Sequence, residues 1–209
     1  LIIRTPMGGK RGYAATHSQS IEKHFVGLPD TQVLVLNHRY SPTLLYKDLF
    51  ASIDRPTLVI ENKILYGQNV NPEPPPGFDL IFTTERFPTA RLKPDTNGHA
   101  GVDLTIVALG GVAVDAEEAV IRLFNDEDLV CDLFMPTRLY PFDIGVLEPS
   151  LRQSRRLLVV EEGQGFVSMS SEIIAQACER FGSLGLSARR VCATPNPIPA
   201  ARPLEQHCL

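Results

Sequence analysis

The feature that most constrains the fold is a series of short, unbroken apolar runs, each separated from the next by a stretch with helical character. The runs cover residues 32–36, 57–61, 103–109, 129–135 and 156–161. A strand that is apolar at almost every position is buried on both faces, which is typical of a parallel sheet covered by helices on both sides. The sequence therefore predicts an α/β fold.

Composition excludes several classes of protein. The chain has 209 residues and a net charge of -4, so no strong positive field draws it to nucleic acid or to an anionic membrane. Its apolar runs are too short for a membrane-spanning helix. The four cysteines contain no C-x-x-C pair and no Cys/His cluster with zinc spacing, so we expect no metal site, reduced thiols and a cytoplasmic location.

The order of these segments predicts two units. We expect strand and helix signals to alternate over 1–70 and again over 101–209. Between them, a proline-rich stretch at 71–77 is incompatible with a helix or a central strand, so 71–100 is predicted to be a linker, either flexible or laid over its neighbours. The tail beyond Pro195 is also predicted to be extended. Because the chain opens on Leu1-Ile2-Ile3, an apolar run typical of a strand under way, we expect a fragment of a longer protein.

Predicted helices complete this outline. Ser18 or Ser20 is expected to begin a short helix that runs to about Phe25, and Ser41-Pro42 to begin one that continues to Ala51. The apolar face of the second is expected to hold four residues, namely Leu44, Leu45, Leu49 and Phe50. Further helices are predicted over 115–124, 141–151 and 170–181.

One histidine stands out from the residues alone. His17 lies between a glycine-rich loop and a predicted helix start, where the helix dipole favours a neutral imidazole that can exchange protons near pH 7. The alternative is a histidine hydrogen-bonded to its own loop. The loop at 8–12 lacks the spacing of a phosphate-binding loop. Glu161 and Glu162 follow a buried strand, where open α/β sheets place ligands, or else their carboxylates bind nearby backbone donors.

Several strings resemble the beta subunits of thiamine-diphosphate-dependent 2-oxoacid dehydrogenases. They are RTP at 4–6, HSQS at 17–20, PTLVIENKILY at 56–66, DLTIV at 103–107, PFD at 141–143 and VVEEG at 159–163. A proline-rich ending from Pro195 to Glu205 also resembles the family's C-terminus. The resemblance covers nearly the whole chain and includes versions with alpha and beta parts fused.

The resemblance implies a fold and a division of labour. We expect a truncated pyrimidine-binding α/β domain at 1–70 and a complete three-layer α/β/α transketolase C-terminal domain at 101–209. In this family an alpha part binds the cofactor diphosphate through magnesium, and a beta part binds the pyrimidine and hands the acyl group to a lipoyl arm. His17 matches the active-site histidine of the beta part. The activating glutamate and the aromatic residue against the pyrimidine would precede Leu1, so no cofactor-binding residue is expected in this chain.

The resemblance also implies partners: an alpha subunit or fused alpha half, a second copy of the chain, and a lipoyl acyltransferase core. The implied activity is oxidative decarboxylation of a 2-oxo acid of the pyruvate, acetoin or branched-chain type. Two alternatives remain open, a non-catalytic dimerisation or docking module and a transketolase-like ligase or lyase without lipoyl transfer.

A potassium site of many relatives is expected to be missing here. Ile53 and Arg55 take the positions of its two side-chain ligands, and the Arg55 guanidinium is predicted to bind the loop carbonyls in place of the ion. The alternative is that Arg55 points to solvent and Asp54 binds the ion.

Overall fold

A computed structural model describes residues 1–98 and 101–209, so His99 and Ala100, the end of the predicted linker, lie outside the described residues. The α/β fold class is confirmed. The strands are β1 (Ile2–Met7), β2 (Gln32–Val35), β3 (Thr57–Asn62), β4 (Phe78–Phe82), β5 (Thr89–Pro94), β6 (Leu104–Ala108), β7 (Cys131–Pro136), β8 (Arg138–Tyr140), β9 (Arg156–Gln164) and β10 (Ser187–Ala193). The α-helices are α1 (Ala14–His17), α2 (Pro42–Ala51), α3 (Ala113–Glu127), α4 (Glu148–Ser154), α5 (Met169–Phe181) and α6 (Arg202–Cys208).

The first sheet has the order β1-β3-β2-β8, with the first three strands parallel and β8 antiparallel to β2. Helix α2 begins at Pro42, whose fixed φ suits the first helical turn. Leu45 and Leu49 on this helix are fully buried, whereas Leu44 and Phe50 are exposed. The apolar face of α2 is therefore narrower than predicted.

The second sheet has the order β10-β9-β6-β7-β5-β4, and its four strands from β10 to β7 are parallel. Along β6, Ile106 and Ala108 pack with residues of α3, and Val107 between them packs with residues of α4 and α5. Because neighbouring side chains on a strand point to opposite faces, helices cover both sides of this sheet. This unit has the three layers expected of it.

The predicted linker is wrong over much of its length. Only its first part, with the prolines at 72–76, is irregular, and β4 and β5 then form an antiparallel pair that extends the second sheet beyond β7. Phe78 and Leu92 on these strands are buried in the core. Their burial against β7 and α3 stabilises strands that local sequence alone does not indicate.

Three further predictions are corrected. Instead of a helix from Ser18 or Ser20 to Phe25, α1 ends at His17 and a 3-10 turn follows at Glu22–His24. Pro141 does not begin a helix; it follows a cis peptide bond, and a 3-10 turn at Ile144–Leu147 leads into α4. The tail is not extended throughout, because α6 forms within it.

One core connects the two sheets. It contains Val33 and Ile60 from the first sheet together with Val107 and Val159 from the second. Among the described residues, no helix is long and apolar enough to cross a membrane. The four cysteines are unpaired.

Candidate functional site

The glycine-rich loop after β1 approaches both sheets closely. Gly8 has a φ of +98°, and a Cβ there would lie 2.5 Å from the Asn62 side chain. Only glycine meets both conditions without strain. The N–H of Gly9 donates a hydrogen bond to Glu162, and the N–H of Gly12 donates to Glu205 at 3.1 Å. The loop is thus held between β3, β9 and α6.

His17 is the last residue of α1, and its side chain is exposed. The prediction that it lies just before a helix start is wrong, because His17 ends a short helix, whose last hydrogen bond runs from the Ser18 N–H to the Ala14 carbonyl at 3.0 Å. The helix-dipole argument for a neutral imidazole does not apply at this end of a helix. The ring instead lies edge-on to Tyr13, with 6.3 Å between ring centroids.

Lys63 joins this group, although the sequence arguments did not select it. Its ammonium donates to the His17 carbonyl and lies 4.5 Å from the centre of the Tyr13 ring. Burial lowers the pKa of Lys63, and nearby Arg11 acts in the same direction, while the charge of Glu162 opposes the change. Lys63 directly follows β3, and the carboxyl end of a parallel strand was the available signal.

Glu162, on β9, binds the backbone of the glycine-rich loop. It accepts hydrogen bonds from the Gly9 N–H and from Asn62 Nδ2, the latter at 2.7 Å. Burial raises the pKa of Glu162, and the bonds from Gly9 and Asn62 oppose that rise. For this carboxylate the structure favours the alternative in which a strand-end acid binds backbone donors.

The resulting site is the exposed His17 together with three neighbouring side chains, which we call the rim: the cations Lys63 and Arg11 and the aromatic ring of Tyr13. Arg11 donates to the Lys63 carbonyl at 3.2 Å, so both cations lie on the same edge. A histidine can exchange protons near neutral pH, and the neighbouring positive charges favour an anionic ligand. Within the two described ranges, no three His, Cys, Asp or Glu side chains converge to hold a metal ion.

The arginine predicted to take the place of a potassium ion makes a different contact in the structure. Arg55 does not bind the loop carbonyls; it pairs with Asp54 at 3.2 Å on the surface. Arg86 donates instead to the carbonyls of Asp48 and Ser52, near the end of α2. This guanidinium comes from the β4–β5 turn.

Comparison with known proteins gives one family match. Residues 97–209 match the family "Transketolase, C-terminal domain". A solved structure named "Split gene transketolase, inactive beta4 tetramer" superposes with a TM-score of 0.63 and 19% identity, covering 92% of this chain and 57% of that one. At this identity, the superposition shows the fold alone.

Curated relatives match both units. "Pyruvate dehydrogenase E1 component subunit beta" of Porphyra purpurea is 28% identical, over 99% of this chain and 59% of that protein. "2-oxoisovalerate dehydrogenase subunit beta 2, mitochondrial" of Arabidopsis thaliana is 31% identical, over 95% and 52%. "Acetoin:2,6-dichlorophenolindophenol oxidoreductase subunit beta" of Bacillus subtilis is 27% identical, over 100% and 58%. The chain spans a little over half the length of these relatives.

Proposed function

Because the chain belongs to the transketolase C-terminal domain family, we propose that it is part of the beta component of a thiamine-diphosphate-dependent 2-oxoacid dehydrogenase. The observation that carries the proposal is that similarity to beta subunits continues past the family domain into the first unit. That part includes His17 and the glycine-rich loop. The proposed activity is oxidative decarboxylation of a pyruvate-, acetoin- or branched-chain-type 2-oxo acid, with acyl transfer to a lipoyl group.

Within this activity we assign His17 a proton-transfer role. Its exposed ring, at the end of the short helix that follows the loop bound by Glu162, can reach a group bound at the rim. Thiamine diphosphate would supply the carbon nucleophile, and we assign the binding of that cofactor and of magnesium to parts of the enzyme outside the described residues. Lys63 and Arg11 favour the approach of an anionic substrate or acceptor.

The proposed partners are an alpha component, a second copy of the chain and a lipoyl acyltransferase core. An open sheet edge supports association. In the described part of the chain β1 pairs only with β3, and Leu1 and Ile3 at this edge are exposed. Unpaired edges and apolar side chains favour contact with another chain.

The test is His17→Ala in the full-length protein, assembled with its alpha component and assayed with a lipoyl acceptor. Loss of a positioned proton donor lowers turnover by about 100- to 10,000-fold. Because the side chain is exposed, the free energy of unfolding should hardly change. His24→Ala, an exposed histidine seven residues along, is the matched control.

Near-normal lipoyl-dependent turnover in His17→Ala would contradict the catalytic role. If assembly with the partner chains then stayed intact, the non-catalytic docking module would be favoured. Turnover of a 2-oxo acid that needs no lipoyl acceptor would favour the ligase or lyase alternative.

A further inference from the structure

Behind the His17 loop, a carboxyl group is buried without a cation. Glu22 begins the 3-10 turn that follows the loop, and only 6% of its surface is exposed. Among the described residues it takes part in no ion pair, and its Oε2 atom has no hydrogen-bond partner. An isolated buried carboxylate is costly, so such a group either finds a cation or stays neutral.

The surroundings offer a place for a proton. Glu22 borders a cavity of about 10 Å³ together with Ser20, Glu161 and Asn62. A cavity of about this size has room for a single water molecule. Glu161 Oε2 and Ser20 Oγ, both in buried residues, also lack partners, while Glu161 Oε1 accepts from Ser170 Oγ at 2.6 Å. Glu161 therefore supplies a second buried carboxyl oxygen without a partner in the lining of the same cavity.

The charges around Glu22 are mostly negative. Strand β9 presents Glu161 and Glu162, and the turn itself contributes the cation Lys23. Farther out, Lys10 and Asp115 act on Glu162 with opposite signs. Burial, followed by the charges of Glu161 and Glu162, raises the pKa of Glu22 to about 7, against the opposing effects of its own backbone N–H and of Lys23.

We propose that Glu22 is a proton-binding site that holds the segment after His17 against β9. Protonated, its carboxyl O–H donates into the cavity towards Glu161 Oε2, directly or through one water molecule. When the proton leaves for solvent, two facing carboxylates repel each other, and the turn separates from β9. The turn begins five residues after His17.

The sign of the pH dependence follows from a folded-state pKa above the unfolded one. The proton's stabilising effect is complete below the ordinary pKa of a glutamate and is lost as the pH rises towards 7. Glu22→Gln keeps a neutral donor at every pH. Relative to this variant, the folded-to-unfolded ratio of the unmodified chain should fall on the order of 100-fold between pH 4.5 and pH 8. Glu118→Gln, an exposed acid on α3, is the matched control and should show no such trend.

Hydrogen exchange of residues 18–26 supplies a local readout. We expect exchange in this segment to accelerate above pH 7, beyond its intrinsic pH dependence, in the unmodified chain but not in Glu22→Gln. If Glu22→Gln fails to fold, Glu161→Gln serves instead: removing the charge of Glu161 lowers the folded-state pKa of Glu22, so the loss of stability with rising pH should become smaller and be complete at lower pH. A stability difference between Glu22→Gln and the unmodified chain that is independent of pH would overturn the proposal. So would a side-chain carboxyl of Glu22, followed by carbon NMR, that titrates at an ordinary pKa.

Discussion

Two buried glutamates lie where the first unit meets the second, and they are stabilised in opposite ways. Glu117 on α3 is 8% exposed and Glu22 is 6% exposed, so burial is nearly the same. Glu117 accepts hydrogen bonds from Arg39 Nε and His38 Nε2, each at 2.8 Å, whereas Glu22 has no cation partner among the described ion pairs. Burial opposes ionisation of both, but the bonds from His38 and Arg39 hold the pKa of Glu117 below its usual value. The pKa of a buried carboxyl thus depends on its partner as much as on burial.

The contact at Glu117, which we call the paired end, also joins more segments of the chain than the contact at Glu22, which we call the unpaired end. Arg39 Nη1 donates to the carbonyls of Asn71 at 2.9 Å and Glu73 at 2.6 Å, which fixes the start of the proline-rich stretch. Three segments therefore meet at one guanidinium. The unpaired end, at Glu22, holds two segments through a neutral acid, and we expect it to open more easily.

The largest expected effect comes from breaking the paired end. Arg39→Met should lower the free energy of unfolding by about 3–5 kcal/mol at pH 7, because it leaves the Glu117 carboxylate buried and uncompensated. Arg55→Met removes the exposed ion pair with Asp54 and should cost less than about 1 kcal/mol. Urea unfolding measures both. Equal losses in the two variants would mean that burial of Glu117 adds nothing to the cost of losing its partner.

The acid branch of the stability curve sharpens the comparison. Because the folded-state pKa of Glu117 is lowered, its contribution is present above the ordinary glutamate pKa and is lost as the pH falls through the folded-state pKa. Glu117→Gln should cost about 2 kcal/mol at pH 6, with the difference shrinking towards pH 3. Glu22→Gln should show the opposite trend at higher pH. Parallel curves for the two variants would mean that both acids share one environment.

The smallest effect is expected at a contact away from both acids. Arg86→Ala should lower the free energy of unfolding by about 1–2 kcal/mol, because it removes hydrogen bonds to carbonyls near the end of α2. This loss should hardly change between pH 5 and pH 9. Lys47→Ala, an exposed cation on the same helix, is the control.

Thermal melting in potassium, sodium and a bulky organic cation should give the same midpoint for the unmodified chain, because the Arg86 guanidinium already satisfies these carbonyls. A potassium-specific rise would show that an ion binds there.

The sequence predicts those elements that are stabilised by local interactions or whose side chains are buried on both faces. Strands β2, β3, β6 and β7 are buried along almost their whole length and coincide with apolar runs, which is why their positions could be inferred. Strands β4 and β5 could not, because their pairing depends on β7, about forty residues farther along in the chain.

The site was only partly predictable for a related reason. His17 could be selected from its string, but its helix begins at Ala14 with a φ of +55°, a conformation that no sequence pattern indicated. Glu22 occupies an ordinary polar position in the sequence. Its burial depends on β9, well over a hundred residues away, so only the folded structure reveals it.

Strand β8 crosses between the two units and limits how they can be exchanged. It follows β7 of the second sheet directly, yet it pairs with β2 of the first, and the Val35 N–H donates to the Thr137 carbonyl at 2.8 Å. A chimaera joined in the proline-rich stretch would place a foreign strand against β2, with side chains selected for another partner. Exchange of a domain between relatives should therefore succeed only when β2 and β8 come from the same parent protein. The β2–β8 pair, and not the proline-rich stretch, decides where such chimaeras can be joined.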